Sequence, residues 1–261
     1  MKVHHLNCGS MRPPATPGGL ICHVLLIEHP DGLMLVDTGF GLADIATPSR
    51  IGRARPLIRP DLRAEETAIH QVRKLGHAPS EVRDIVLTHG DSDHTGGLAD
   101  FPAADVHLSA AESEAIRHPR TFGERGRYVP AQRSHGPRLV EHHPERGDTW
   151  HGFAAATEIR PGVLLIHLPG HTRGHAAVAV DTGSGWILHA GDAFYHRGQV
   201  GGDGRVPRSL LTMETLVAYD RSAVTGNHAR LAALWSANRP DLTLVNAHDP
   251  ELLRRAQERI H

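Results

Sequence analysis

Histidine and aspartate follow short apolar runs at several separate places in the chain. The residues concerned are His89, Asp91, Asp93, His94, His171, Asp192 and His248. Imidazole is a common ligand of zinc, iron, nickel and copper, and carboxylate favours harder ions such as manganese. Any one of these residues alone would pass for an ordinary surface, core or turn residue. Their recurrence at the ends of apolar runs predicts instead that they meet at one metal site.

The segment from His89 to His94, with the sequence His-Gly-Asp-Ser-Asp-His, offers ligands to more than one ion. In an extended loop, residues 89, 91 and 93 would face one side and His94 the other. Two ions a few ångströms apart would then share this segment, with Asp192 as a bridging carboxylate. Such a pair of ions holds a hydroxide and the oxygens of a substrate. The sequence therefore predicts a hydrolase with two divalent metal ions, which would be Zn, Mn or Fe.

Apolar runs bounded by turn residues predict the strands that must position these side chains. They cover residues 21–28, 33–36, 82–87, 104–108, 163–168, 176–180, 186–189 and 242–245. Helices are predicted at 64–75, at 110–118 behind a Ser109–Glu112 capping box, at 227–237, and from Pro250 with Asp249 as N-cap. Mixed strands and helices with hairpins in both halves indicate an α/β sandwich of two mixed sheets flanked by helices. One domain over residues 1–261 is expected.

Two segments lack clear periodicity. Residues 41–63 are rich in arginine. A solvated loop is the simpler interpretation, and a flap that meets an anionic group of a substrate is the functional one. Residues 119–160 are predicted to form a long loop over the active face. Arg133 and His135, within that loop, are candidates for the substrate pocket or for the surface.

The composition restricts the classes of partner and compartment. Lys plus Arg number 28 and Asp plus Glu 29, so nothing points to nucleic acid or an acidic membrane surface as a partner. No stretch approaches the roughly 20 apolar residues of a membrane helix, and residues 1–19 lack the apolar core of a signal peptide. A cytoplasmic protein with a small-molecule substrate is expected. Assembly is left open, with a homodimer among the options.

The two cysteines, Cys8 and Cys22, are too far apart in sequence for a Cys-x-x-Cys pair, which excludes a thiolate zinc site. Two buried free thiols are expected in a reducing compartment. A single Cys8–Cys22 bridge is the alternative.

The motifs around the candidate ligands resemble those of the metallo-β-lactamase superfamily. They are LMLVDTG with Asp37, THGDSDHTGG, LPGHTRGH with His171, HAGD with Asp192 and NAHD with His248, in the superfamily's order. The resemblance covers nearly the whole chain and implies an αβ/βα sandwich with a binuclear site on one edge. It implies that one metal takes His89, Asp91 and His171, and the other Asp93, His94 and His248. Asp192 would bridge the two, and Asp37 would orient the ligand loop.

Within that superfamily the chain is similar to the N-acyl-homoserine lactonases and related lactone hydrolases. Tyr195 lies three residues after Asp192, where those lactonases carry a tyrosine that contacts the substrate carbonyl, and Asp249 follows His248 as in their His-Asp pair. A packed aromatic and a helix cap are the plain alternatives for these two residues. The resemblance implies that a metal-bridging hydroxide attacks the carbonyl of a lactone or small ester. Asp93, or a metal-bound water, would help to protonate the leaving alkoxide, and one metal together with Tyr195 would stabilise the carbonyl oxygen.

Asp91 departs from the superfamily's usual pattern, which has histidine at that position in HxHxDH. A carboxylate can still ligate, and flavodiiron reductases carry an acidic residue there. Three ligand carboxylates against two dications leave one positive charge, whereas the usual ligand set leaves one more. This predicts a weaker Lewis acid pair than in the usual site and a preference for Mn or Fe over Zn. The alternatives are a phosphodiesterase or nuclease on the same metals, an iron-dependent, dioxygenase-like redox enzyme, and a non-catalytic binding protein.

Overall fold

Two six-stranded mixed sheets make up the centre of the protein in the computed structural model, which describes residues 1–259. The first sheet runs in chain order through β1 Lys2–Met11, β2 Leu20–His29, β3 Gly32–Val36, β4 Val82–Val86, β5 Asp105–Ser109 and β6 Arg138–His142. Its first three strands pair antiparallel, and the strands from β3 to β6 pair parallel.

The second sheet has the order β12-β11-β10-β9-β8-β7. Its strands are β7 Asp148–Trp150, β8 Phe153–Arg160, β9 Val163–His167, β10 Ala176–Asp181, β11 Trp186–His189 and β12 Leu242–Val245. All pairs are antiparallel except β11 with β12, which are parallel.

Helices cover the outer faces of the two sheets. The α-helices are α1 Leu42–Ala46, α2 Arg55–Ile58, α3 Ala68–Lys74, α4 Ser92–Thr95, α5 Ala110–Arg117, α6 Phe122–Arg127, α7 Arg208–Val217, α8 Arg221–Ser236 and α9 Pro250–Glu258. Short 3-10 helices lie at Pro48–Ala54, Ala64–Glu66, Pro79–Glu81, Gly96–Asp100, Pro130–Arg133, Pro144–Arg146 and Arg197–Val200. The side chains of Ser109, Asp220 and Asp249 accept backbone N–H groups at the starts of α5, α8 and α9.

Alternating residues of the central strands belong to different cores, because successive side chains of a strand point to opposite faces. On β2, Leu25 and Ile27 join the core between the two sheets, whereas Val24 and Leu26 face the core under α3 and α5. Strands buried on both faces therefore read as continuous apolar runs. The layers are helix, sheet, sheet and helix, which confirms the predicted αβ/βα sandwich.

Most predicted strands are confirmed to within a residue or two, and two longer predictions are wrong. Residues 41–63 form α1, α2 and a 3-10 helix rather than a solvated loop. Of the predicted loop 119–160, the part from 138 to 160 is wrong, because these residues form β6, β7 and β8 at one side of each sheet. Edge strands tolerate charged side chains on exposed positions, so β6 (Arg-Leu-Val-Glu-His) shows little apolar periodicity.

Several further features were missed or are now decided. Neither β1 nor α7 was predicted, and α8 begins at Arg221 rather than at residue 227. Both Cys8 and Cys22 are buried free thiols, as expected. Among residues 1–259, none of the helices is long and apolar enough to cross a membrane.

The core between the sheets should carry much of the stability. Leu165 on β9 is fully buried there, so Leu165→Ala leaves a cavity and is expected to lower the free energy of unfolding by about 2–5 kcal/mol. Leu211→Ala on α7, where the side chain is 43% exposed, is the control and should change it by less than about 0.5 kcal/mol. Denaturant unfolding measures the free energy of unfolding of both variants, and an unchanged m-value shows that the difference is one of stability. Equal effects of the two substitutions would contradict the assignment of this core.

Candidate metal centre

The loops that follow β3, β4, β9, β11 and β12 converge on one edge of the sandwich. They bring every predicted ligand into a single cluster. Among the described residues there are three overlapping groups of possible ligands. Within each group, all ligand atoms lie within 4.8 Å of one another. The groups are His89, Asp91 and His171; His89, His94 and Asp192; and Asp93, His94 and His248.

The first half of the cluster surrounds Oδ2 of Asp91. This oxygen lies 3.4 Å from Nε2 of His89 and 3.1 Å from Nε2 of His171. Oδ2 of Asp192 lies 3.5 Å from the same His171 nitrogen and 3.9 Å from that of His89. Ligands about 2.1 Å from a tetrahedral zinc ion lie about 3.4 Å from one another. These four side chains therefore have the spacing of one metal site.

The second half of the cluster surrounds Asp93 and the other side of Asp192. Oδ2 of Asp93 lies 3.6 Å from Nε2 of His248 and 3.9 Å from Nε2 of His94. Asp192 lies 3.2 Å from His94 through Oδ1 and 3.1 Å from His248 through Oδ2. Asp192 thus contacts both halves, which is the geometry of a bridging carboxylate.

Several atoms of the cluster lack hydrogen bonds in the described part of the chain. They are Nε2 of His89, Nε2 of His94, Oδ1 of Asp91 and Oδ1 of Asp192, all fully buried. Their contacts with one another are close but do not have hydrogen-bond geometry. Buried polar atoms without partners are costly unless something binds them. The residues therefore fit divalent cations.

Each imidazole is oriented by a partner of its other nitrogen, Nδ1. That atom lies 2.8 Å from the Asp37 carboxylate in His94 and 2.8 Å from the carbonyl oxygen of Ile21 in His248. In His89 it lies 3.0 Å from the hydroxyl of Thr88, and in His171 3.3 Å from that of Tyr195. A proton held on Nδ1 leaves Nε2 as the lone-pair donor facing the cluster, as in many metal sites.

Asp37 holds the ligand loop to the end of β3. Its Oδ1 accepts the backbone N–H of Thr88 at 2.8 Å and its Oδ2 the Thr88 hydroxyl at 2.8 Å. Burial opposes the charged form of Asp37, but His94 and its neighbours outweigh this and lower the pKa of the carboxyl. The backbone of Asp37 is left-handed (φ 58°), a conformation that costs energy outside glycine and is held by these bonds.

The predicted extended conformation of the His89–His94 segment is wrong beyond Asp91. The backbone N–H groups of His94 and Thr95 both donate to the carbonyl of Asp91 and start the helical turn α4. A helical turn presents successive side chains in different directions. Asp93 and His94 can therefore both meet His248, while Asp91 stays with His89 and His171.

The side chain of Glu112 connects the loop that contains His89 with the loop that contains His171. Fully buried, its carboxylate accepts the backbone N–H of Gly90 at 2.8 Å and the hydroxyl of Tyr128 at 3.0 Å through Oε1. Its Oε2 accepts the hydroxyl of Thr172 at 2.7 Å and the N–H of Gly174 at 3.1 Å. The predicted capping box is therefore only half present: Ser109 caps α5, but Glu112 binds the loops instead of the helix start.

The electrostatics of the cluster depend on a cation that the sequence did not reveal. Burial alone would raise the pKa of Asp91, but Arg127 and His89 hold it well below its usual range. Burial and the same arginine lower the pKa of His171 to about 4. Asp192 is likewise kept charged against burial, with a lowered pKa, chiefly by His248 and His94.

The remaining predicted residues lie around the cluster. Tyr195 is buried with its hydroxyl against His171 and borders a cavity. Asp249 caps α9 and accepts a hydrogen bond from Nη1 of Arg197 at 2.9 Å. Arg133 and His135 do not line the cavity, so their placement in the substrate pocket is wrong.

Three functional residues were missed. Arg127 and Glu112 lie far from the ligands in sequence and reach them only through the fold. His175 accepts the backbone N–H of Asp192 at 3.0 Å through Nε2. His175 is the last residue of the LPGHTRGH motif, and this motif is the signal from which its role could have been predicted.

A cavity of about 1040 Å³ opens beside the cluster. Asp91, Asp93, His171, Asp192 and His248 form its inner end. Apolar side chains dominate its walls: Met11, Ile58, Phe122, Met213, Leu216 and Val217. The segment 41–63 contributes one wall through α2, and α6 and α7 contribute the others. Such a cavity suits a small molecule with an apolar portion.

Comparison with known proteins identifies the family and several relatives. The family model of the metallo-beta-lactamase superfamily matches residues 17–248. A probable metallo-hydrolase of Mycobacterium tuberculosis is 51% identical over 261 residues, covering 99% of this chain and 83% of the relative. An N-acyl homoserine lactonase of Bacillus sp. is 27% identical over 198 residues, covering 73% of this chain and 72% of the relative.

Solved structures show the same fold. The Bacillus thuringiensis AiiA structure with bound N-decanoyl-L-homoserine matches with a TM-score of 0.70 at 21% identity, over 99% of this chain and 96% of that chain. A probable metal-dependent hydrolase from Staphylococcus aureus matches with a TM-score of 0.70 at 17% identity, over 95% of this chain and 88% of that chain.

The four bonds of Glu112 generate a prediction. In Glu112→Gln the amide nitrogen cannot accept a hydrogen bond, so at least one loop donor loses its acceptor. We expect the free energy of unfolding to fall by about 1–3 kcal/mol and metal retention through gel filtration to fall with it. The control is Glu141→Gln, a partly exposed acceptor of Ser113 that also pairs with Arg117; it should lower the free energy of unfolding by less than about 1 kcal/mol and leave metal retention unchanged. Wild-type stability and metal retention in Glu112→Gln would contradict the role given to this carboxylate.

Proposed function

Because this chain belongs to the metallo-β-lactamase superfamily and is a metal-dependent hydrolase, we propose that it hydrolyses a lactone or another small ester at a centre of two divalent ions. The domain would extend over residues 1–261. The ions would be Zn, Mn or Fe. The observation that carries the binuclear proposal is the position of Asp192 between two sets of ligand atoms.

The distances between the candidate ligand atoms support two ligand sets. One ion would be held by His89, Asp91 and His171, and the other by Asp93, His94 and His248, with Asp192 shared. Asp37 and the other partners of the Nδ1 atoms fix the imidazoles so that their Nε2 atoms face the ions.

The cavity supports a carbonyl substrate with an apolar portion. Its inner end is the ligand cluster and its walls are mainly aliphatic and aromatic. Two of the arginines that line it are already paired, Arg127 with Asp91 and Arg173 with Glu124. The other two, Arg53 and Arg221, have no carboxylate partner among residues 1–259, so phosphodiesters belong in the test of substrate class. The lactonase relative acts on N-acyl homoserine lactones by its name, which agrees with a carbonyl substrate.

The chain's own groups would then perform the following roles. When bound, two divalent ions lower the pKa of water and polarise a carbonyl, which makes hydrolysis feasible at neutral pH. The hydroxyl of Tyr195, at the edge of the cavity, would donate to the carbonyl oxygen as negative charge develops on it. The carboxylate of Asp93, 13% exposed, would take the proton from the attacking water and deliver it to the leaving alkoxide oxygen. The apolar walls would orient the substrate and exclude bulk water.

Substrate class is tested with a panel of lactones, aryl esters and phosphodiesters, each offered to protein loaded with Zn, Mn or Fe. We expect turnover of lactones, its loss after chelation and its return on adding metal. Asp192→Asn replaces the shared carboxylate with a neutral amide, so it should remove activity whichever of the three metals is loaded. Clear phosphodiester turnover with no turnover of any lactone would refute the proposed substrate class while leaving a metal-dependent hydrolase.

Tyr195→Phe tests the hydroxyl separately from the aromatic ring. Loss of one donor to a developing oxyanion is expected to reduce kcat by roughly 10-fold to 1,000-fold with little change in KM. Metal content, measured by mass spectrometry, should stay at the wild-type value. A fall in metal content instead of kcat would mean that the hydroxyl acts only by orienting His171.

A further inference from the structure

Arg127 is the one cation that α6 places directly against the candidate ligands. Its side chain is only 13% exposed. Its Nη1 lies 3.3 Å from Oδ2 of Asp91 and 2.9 Å from Nε2 of His171. Both of those atoms belong to the first ligand set. A guanidinium is permanently charged in a protein, so a full positive charge is fixed beside this half of the cluster.

Two main-chain carbonyls, one of them that of His171, hold the guanidinium in place independently of the ligand side chains. Nη1 donates to the carbonyl oxygen of His171 at 3.2 Å, and Nη2 donates to that of Val217. An ion at the first site would occupy the lone pair of the His171 ring. The carbonyls and Asp91 would then remain as the partners of Arg127. An ion bound to Nε2 of His171 would therefore require Nη1 to move away from that nitrogen while it keeps Asp91 and the carbonyls as partners.

We infer that Arg127 is a positioning residue that offsets the charge of Asp91, so that the Asp91–Arg127 pair replaces a neutral imidazole at that ligand position. The inference rests on the proposed two-metal centre. The charge count made from the sequence included three carboxylates and two dications but omitted Arg127. With the guanidinium included, the centre regains the positive charge that the usual histidine would leave. The electrostatic reason for preferring Mn or Fe over Zn then disappears.

Metal affinity should follow this charge in a fixed order. Arg127→Met removes a positive charge next to the site, so Zn²⁺ and Mn²⁺ should bind at least roughly tenfold more tightly. Asp91→His leaves Arg127 without its carboxylate, so both ions should bind at least roughly tenfold more weakly. The double variant Asp91→His with Arg127→Met contains the usual ligand type without the extra cation and should bind within about threefold of wild type.

The experiment is competition of each purified full-length variant with a chromogenic chelator, combined with metal stoichiometry by mass spectrometry. Arg127→Lys keeps the charge and should stay near wild type, which separates charge from shape if Arg127→Met folds poorly. The control is Arg125→Met. Arg125 lies on the same helix as Arg127, but its side chain is exposed and donates to the carbonyl oxygen of Arg120 rather than to a ligand. Its metal affinity should stay near wild type.

The possible results separate this inference from the proposed function. If wild type takes up two ions but Arg127→Met binds them more weakly, or the double variant binds no better than Asp91→His, the charge-offset inference is overturned and the metal centre stands. If wild type takes up no divalent ion, the proposed centre itself fails. The order Arg127→Met tightest, wild type and double variant equal, and Asp91→His weakest supports the inference.

Discussion

The rest of the centre depends on the crowding of three acidic side chains, Asp91, Asp93 and Asp192, at one largely buried edge of the sandwich. Like charges in such surroundings repel one another, and each has lost part of its hydration. The fold compensates by placing a cation or an imidazole against individual oxygens. Arg127 and His171 contact Asp91, and His94 and His248 contact Asp192. These partners favour the charged carboxylates, which is the form that binds metal.

Two further buried carboxylates carry no ligand role but determine where the ligands lie. Asp37 ties the start of the His89 loop to the end of β3 through Thr88 and aligns His94. Glu112 ties the same loop, through Gly90, to the His171 loop, through Thr172 and Gly174. Loops from different sheets are thereby fixed by the protein's own hydrogen bonds. The positions of the candidate ligands therefore depend on the protein's own hydrogen bonds.

The sequence predicted the features that local pattern encodes and missed those that only the fold creates. Apolar runs with clear boundaries identified the central strands, and the strand-end His and Asp residues identified the cluster. β6 was missed because its two apolar residues, Leu139 and Val140, are flanked by Arg138 and Glu141 and make too short an apolar run. Arg127 was missed because its partners lie 36 residues before it and 44 after it in the chain. Glu112 was read as a capping residue because its local spacing from Ser109 satisfies that motif equally well.

Helix α6 links the substrate cavity to the charge of the metal centre. Its first residue, Phe122, borders the cavity, and its last, Arg127, contacts Asp91 and also the carbonyl of Val217 at the end of α7. Substitutions that reshape the walls formed by α6 or α7 should therefore also move the guanidinium relative to Asp91. The wall formed by α2 is connected to α7, because Ile58 packs in one apolar cluster with Tyr195 and with Met213 and Val217 of α7. Substitutions in α2 should therefore also reach Tyr195 and, through Val217, the carbonyl that holds Arg127.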